Sequence, residues 1–175
     1  MNKYLENEYR KNKADIKTIM PQSAVLHAHS YVKGNTEHQL LHGYVQFFYY
    51  RKGTLITGEF WGLPYSEDAC ASNLCALHIH EQGDCNDAHI QQHFERAKGH
   101  YNPMNCPHPA HAGDLPPLFS NEGYAWFSFY TDRFQVSDVI GLSIIVHSKA
   151  DDFTTQPSGN SGDRIACGII MSTLK

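Results

Sequence analysis

The stretch Gly43-Tyr44-Val45-Gln46-Phe47-Phe48-Tyr49-Tyr50-Arg51-Lys52-Gly53-Thr54-Leu55-Ile56-Thr57-Gly58-Glu59-Phe60-Trp61 sets the fold class. Both of its arms are dense in β-branched and aromatic side chains, which suit a pleated, half-buried surface. Between them, Arg51-Lys52-Gly53 has the look of a tight hairpin turn. Two strands in immediate succession, with no helical period in either, predict an antiparallel pair.

The same texture extends in both directions. Ser23–Val32 precedes the pair, and Leu74–Glu81, Leu115–Phe119, Tyr124–Tyr130, Leu142–His147 and Ile165–Met171 follow it. Asn121-Glu122-Gly123 is a second turn signal. Short strands with turn punctuation, and no internal helix pattern, predict an all-β sandwich or barrel of eight strands. Two irregular stretches remain, Gln82–Asp114 and Ser148–Asp163. Loops of that length inside one domain are usually functional, and both are bracketed by histidines. Residues 1–20 are polar, with Leu5, Tyr9 and Ile16 too sparse for an apolar stripe, and read as an N-terminal arm. Residues 21–175 read as a single domain, a length that can bury one substantial core.

Composition excludes several classes. The formal net charge of −4, from 14 Lys and Arg against 18 Asp and Glu, is the wrong sign for a nucleic-acid partner, which calls for a clustered basic face. No apolar run reaches the roughly 18–20 residues of a membrane span. Met1-Asn2-Lys3-Tyr4-Leu5-Glu6 has no apolar leader pattern, so the expected compartment is the cytoplasm. Five cysteines allow at most two disulfides and leave one thiol free. Cys70 and Cys75 either pair or stay free.

The 12 histidines carry the chemistry. In His78-Ile79-His80 a strand puts both imidazoles on one face and turns Ile79 into the core. His27-Ala28-His29 has the same spacing and reads as a solvent-facing pair. The run from His100 to Asp114 is denser: His100, His108, His111 and Asp114 supply three imidazoles and a carboxylate. Those four ligands complete a tetrahedral Zn²⁺ site with no open position, the pattern of a structural zinc. Pro103, Pro107 and Pro109 stiffen the loop and reduce the entropy lost when it closes on an ion. Cys106, two residues before His108, is a rival soft ligand and reads as a spectator. His38, His42, His89 and His93 take surface roles by default.

Five segments in order resemble the copper/zinc superoxide dismutase family. They are His78-Ile79-His80-Glu81-Gln82-Gly83-Asp84, Gly99-His100-Tyr101-Asn102-Pro103, His111-Ala112-Gly113-Asp114-Leu115, Val146-His147-Ser148-Lys149-Ala150-Asp151-Asp152 and Gly159-Asn160-Ser161-Gly162-Asp163-Arg164-Ile165-Ala166-Cys167-Gly168. They run from about residue 74 to the C-terminus, whereas the N-terminal strands agree only in pattern. The resemblance implies an eight-stranded antiparallel Greek-key β-barrel, an immunoglobulin-like sandwich, with two functional loops. It implies one copper and one zinc per chain. Copper falls to His78, His80, His100 and His147, zinc to His100, His108, His111 and Asp114, with His100 bridging the two. Asp151 would hydrogen-bond His78 and His108 from behind. Arg164 would attract the superoxide anion at the channel mouth, and His100 would carry the proton. Cys85 and Cys167 would form the disulfide. A homodimer is left open, and the source of copper is unknown.

The sequence also departs from the family. Ala76-Leu77 stands where Gly-Phe is usual, putting a β-carbon at a close-packed position. Only two residues separate His108 from His111, as in bacterial members, and the second loop has few lysines. Asp163 adjoins Arg164 and is expected to offset part of its charge. The enzyme is therefore expected to be slower or less salt-dependent, because steering follows the local field. All the zinc ligands are kept, which sets the chain apart from copper-only members. The alternative function is non-catalytic copper and zinc binding on the same fold.

Overall fold

A computed structural model describes residue 21 and residues 23–87 and 92–173. The proposed arm at 1–20 and His89 lie outside the described residues. The described residues form eight strands: β1 Val25–Gly34, β2 His42–Tyr50, β3 Gly53–Trp61, β4 Leu74–His80, β5 Asp114–Phe119, β6 Ala125–Thr131, β7 Ser143–His147 and β8 Arg164–Ser172. Every strand predicted from sequence is there, with ends moved by a residue or two. Among the described residues, the helical content is a 3₁₀ turn, Glu95–Ala97, and a single α-turn, Val136–Val139.

The strands form one sheet in the order β5-β4-β7-β8-β1-β2-β3-β6, with antiparallel pairing throughout. β1, β2 and β3 form a meander. The chain then crosses to the far half for β4 and β5, returns for β6, and crosses again for β7 and β8, the connectivity of a Greek-key barrel. The two ends of the order, β5 and β6, also touch, so the sheet nearly closes. Arg51 and Lys52 make the two-residue turn between the paired Tyr50 and Gly53, with Arg51 in the left-handed region at φ 55°.

Inward positions alternate as a half-buried sheet requires. Val45 and Phe47 of β2, Ile56 and Phe60 of β3, Leu77 and Ile79 of β4, Ile144 and Val146 of β7, and Ala166 and Ile170 of β8 fill the core. Burying each such side chain fully contributes about 1.5–3 kcal/mol relative to exposure. A smaller cluster of Phe94, Ala97, Ile145 and Cys167 fastens the first long loop to the outer side of β7 and β8. The disulfide Cys85–Cys167, with Cα atoms 5.6 Å apart, ties down the same loop. Cys70, Cys75 and Cys106 are free thiols, and burial raises the Cys75 pKa to about 11.

Two readings change in detail. His27 and His29 are not freely solvent-facing: His27 packs on Tyr49, with ring centres 4.4 Å apart, and His29 lies against Tyr31 and Tyr44. Neighbouring outward aromatics shield them, which an alternation pattern cannot reveal. Ala76 is fully buried, and the β4–β5 register slips between Cys75 and Leu77, the position where the extra β-carbon was noted.

Candidate metal centre

On β4, His78 and His80 point away from the barrel core, yet both are fully buried. The first long loop makes that happen by hydrogen-bonding along the strand. Tyr101 N donates to Ile79 O, Ile79 N to Gly113 O, and Glu81 N to Gly99 O. His100 pairs with His80 as an isolated β-bridge, which carries its imidazole over the two strand histidines. His147, at the end of β7, sits beside them because β7 pairs with β4.

Two ligand groups result. One atom from each of His78, His80, His100 and His147 lies within 4.8 Å of the others, and the same holds for His100, His108, His111 and Asp114. All seven side chains are buried, that of Asp114 included, although the whole Asp114 residue is only half-buried. Every residue nominated as a ligand from sequence is in one of these groups. Cys106 is in neither; its backbone N–H and carbonyl bond the Asn102 side chain.

Hydrogen bonds on the far side of each ring fix which nitrogen faces inward. His78 donates from Nε2 to Asp151 Oδ2 at 2.8 Å, which leaves Nδ1 facing inward without a partner. His108 donates from Nε2 to Asp151 Oδ1 at 2.9 Å and likewise leaves Nδ1. His80 donates from Nδ1 to Lys98 O at 2.9 Å, and His147 Nδ1 lies 3.4 Å from Gly162 O. The free Nε2 atoms of these two rings are then 3.3 Å apart. Two lone-pair nitrogens that close repel unless a cation lies between them.

His100 offers a nitrogen to each group. Its Nδ1 is 2.7 Å from Asp114 Oδ1, and its buried Nε2 has no partner. His108 Nδ1 and His111 Nδ1 lie 3.0 and 3.3 Å from Asp114 oxygens without hydrogen-bond geometry. Unpartnered nitrogens are costly in a dry interior unless something occupies the space between them. Four imidazoles without a thiolate suit Cu²⁺, and three imidazoles with a carboxylate suit Zn²⁺. The residues fit both metals.

The charge states agree. Burial, reinforced by the nearby Arg164 charge and by the repulsion that protonating two neighbouring rings at once would bring, pushes the pKa of His80 and His147 well below the ordinary histidine value. Burial also lowers His78, against the pull of Asp151. These rings are therefore neutral and able to ligate. Burial alone would raise the carboxyls, but hydrogen bonds from histidines outweigh it. Asp151 drops to about 2 through His78, the Phe153 amide and His108, and Asp114 drops below its usual range through His100. Gly159, at φ 67°, lies against Asp151; a Cβ there would collide with Asp151 Oδ1 and His108 Nε2.

Arg164 opens β8 at the wall of a cleft of about 720 Å³, which is also lined by His80, His100 and His147. Its guanidinium donates to Phe94 O at 2.7 Å and to Lys98 O at 2.6 Å. The expected offset from Asp163 takes another form: Asp163 makes no ion pair with Arg164 among the described residues. Burial lowers the Arg164 pKa and Glu95 acts against it, while Glu37, Glu81 and Asp163 line the cleft. Sequence reasoning could not find the Phe94 and Lys98 carbonyls, because a backbone acceptor leaves no mark on residue type.

Comparison with known proteins bears on the same residues. Residues 41–170 match the family model described as copper/zinc superoxide dismutase (SODC). The chain is 33% identical to the superoxide dismutase [Cu-Zn] of Legionella pneumophila over 136 residues, covering 73% of this chain and 76% of that protein. It is 31% identical to superoxide dismutase [Cu-Zn] 2 of Aquifex aeolicus over 151 residues, covering 78% and 82%. A superoxide dismutase-like protein, YojM of Bacillus subtilis, is 36% identical over 110 residues, covering 54% of each chain.

Proposed function

The chain belongs to the copper/zinc superoxide dismutase family, and from that premise we propose that His78, His80, His100 and His147 hold its copper while His100, His108, His111 and Asp114 hold its zinc. The enzyme converts two superoxide ions and two protons into O₂ and H₂O₂. The observation that carries the residue assignment is His100, which belongs to both adjoining ligand groups, with Nδ1 2.7 Å from Asp114 Oδ1 and a buried Nε2 left for the other group.

Bound copper supplies the one-electron exchange that oxidises one superoxide and reduces the next, and bound zinc is redox-inert. The protein arranges everything else. Arg164 presents a permanent positive charge beside the copper ligands and draws the anion into the cleft. Its hydrogen bonds to Phe94 O and Lys98 O hold the guanidinium in one place. His100 Nε2 takes up a proton and passes it to the reduced oxygen, while Nδ1 stays on the Asp114 side. Asp151 fixes the tautomers of His78 and His108 together, so that both rings aim Nδ1 at their ion.

Reconstitution with both metals, elemental analysis and a dismutation assay test this reading. One copper and one zinc per chain with fast turnover is the expected result. Two metals bound without turnover would instead support the non-catalytic alternative. Turnover surviving His80→Ala would overturn the copper assignment.

A further inference from the structure

We propose that Arg133 and Gln156 are positioning residues for zinc: two side chains that ligate nothing but clamp the backbone carrying the zinc ligands. The proposal rests on assigning zinc to His100, His108, His111 and Asp114. Neither residue stood out in the sequence, and each comes from a different part of the fold.

Gln156 lies in the loop between β7 and β8. Its Oε1 accepts from His108 N at 3.0 Å, and its Nε2 donates to His108 O at 2.7 Å. The side-chain amide thus bonds both backbone groups of one ligand residue, as a neighbouring strand would. Arg133 lies in the connection between β6 and β7. Its Nη1 points at three carbonyls of the zinc loop: Pro109 O at 3.2 Å, His111 O at 3.1 Å and Asp114 O at 3.5 Å. Together the two side chains bind the backbone of three of the four zinc ligands.

The clamp has a reason in the local sequence. His108 to Gly113 has no strand partner of its own until Gly113 reaches Tyr101 and β5 begins at Asp114. A chain making a turn there leaves carbonyls unpaired, and a buried or half-buried carbonyl needs a donor. Arg133 Nη1 carries two hydrogens, which these three carbonyls share, with Asp114 O the most distant at 3.5 Å. Because Gln156 belongs to the loop that also carries Asp151, the clamp and the carboxylate approach His108 from one segment. Asp151 sets the orientation of the His108 ring, and Gln156 sets the position of its backbone.

The test uses the full chain, wild type and as Arg133→Met, Arg133→Lys and Gln156→Met, each loaded with copper and zinc. Zinc affinity is read by chelator competition, and ligand geometry by the visible absorption of Co²⁺ placed in the zinc position. Melting of the metal-free proteins separates positioning from general folding. Loss of a partner that orients metal ligands weakens binding by about 10–100-fold. The expected result is zinc loss near the lower end of that range in Arg133→Met and Gln156→Met, with altered Co²⁺ bands and metal-free melting close to wild type. Arg133→Lys recovers part of the affinity, since one donor still reaches the carbonyls. Unchanged zinc affinity with superimposable Co²⁺ spectra overturns the clamp. So does a loss that only follows a fall in metal-free melting. A wild-type chain that binds no zinc overturns the zinc assignment itself, and the clamp with it.

Discussion

Arg164 and His80 share one acceptor: the Lys98 carbonyl receives Arg164 Nη2 at 2.6 Å and His80 Nδ1 at 2.9 Å. The proposed copper ligand His80 and the proposed anion-attracting Arg164 are thereby registered through one backbone oxygen. Lys98 has φ 67°, a conformation uncommon for a residue with a side chain. Phe94, the other residue whose carbonyl binds Arg164, also has a positive φ, 53°. The first long loop thus bends at both ends of its 3₁₀ turn to offer these oxygens.

Replacing Arg164 with Ala should slow dismutation about tenfold at low salt, near the lower end of what electrostatic steering supplies. Arg164→Lys should retain part of the rate. With Glu37, Glu81 and Asp163 also lining the cleft, the wild-type rate should vary little with ionic strength. Pulse-radiolysis rates across a salt series check both points. A steep fall with salt in the wild type would count against the weak-steering reading.

Asp151→Ala should release His78 and His108 together, because each of its oxygens holds one ring. Both metals should bind about 10–100-fold more weakly. Chelator competition for copper and for zinc provides the measurement. A loss confined to one metal would show that the two hydrogen bonds do not act jointly.

Reduction of Cys85–Cys167, or a double change to Ser, opens a cross-link spanning 82 positions. The chain-entropy model puts its contribution at about 4.5 kcal/mol. The same loop carries the Phe94 and Lys98 carbonyls, so Arg164 loses its anchorage as well. Melting temperature and turnover should therefore fall together on reduction. Turnover that holds while melting drops would separate the disulfide from the site.

Acid should destabilise the metal-free protein in two steps. The pKa values of His80 and His147 are well below the ordinary 6.5. As pH falls past 6.5 the unfolded chain takes up protons that the folded chain refuses, and stability declines. Asp151, at about 2 against an ordinary 3.8, stabilises the fold above 3.8 and loses that contribution as pH falls toward 2. His93, raised by its hydrogen bond to Asp87, works in the opposite direction but is one group against several. Melting curves of the metal-free protein from pH 8 to 3 should fall from about 6.5 downward. The metal-loaded protein should hold to lower pH, since bound ions keep the rings neutral. Flat melting of the metal-free form between pH 7.5 and 5 would contradict this account.

The strands were legible because period-2 alternation and turn residues are local properties, so β2 and β3 could be read with nothing else known. The candidate ligands were legible because metal chemistry demands particular side chains, and His100, His108, His111 and Asp114 lie close in the chain. His27 and His29 show the limit: the spacing that marks His78 and His80 recurs there, and only the covering loop makes one pair a site. The paths of the two long loops also decided which nitrogen of each ring faces inward, through acceptors as distant in sequence as Asp151 and as featureless as the Lys98 carbonyl. Arg133 and Gln156 went unnoticed for the same reason, since their partners are backbone atoms brought near by folding. Sequence by itself determined the strands and which atoms can bind metal. Tertiary structure alone decided the direction in which those atoms point, because hydrogen bonds between residues far apart in the chain form only when the barrel closes.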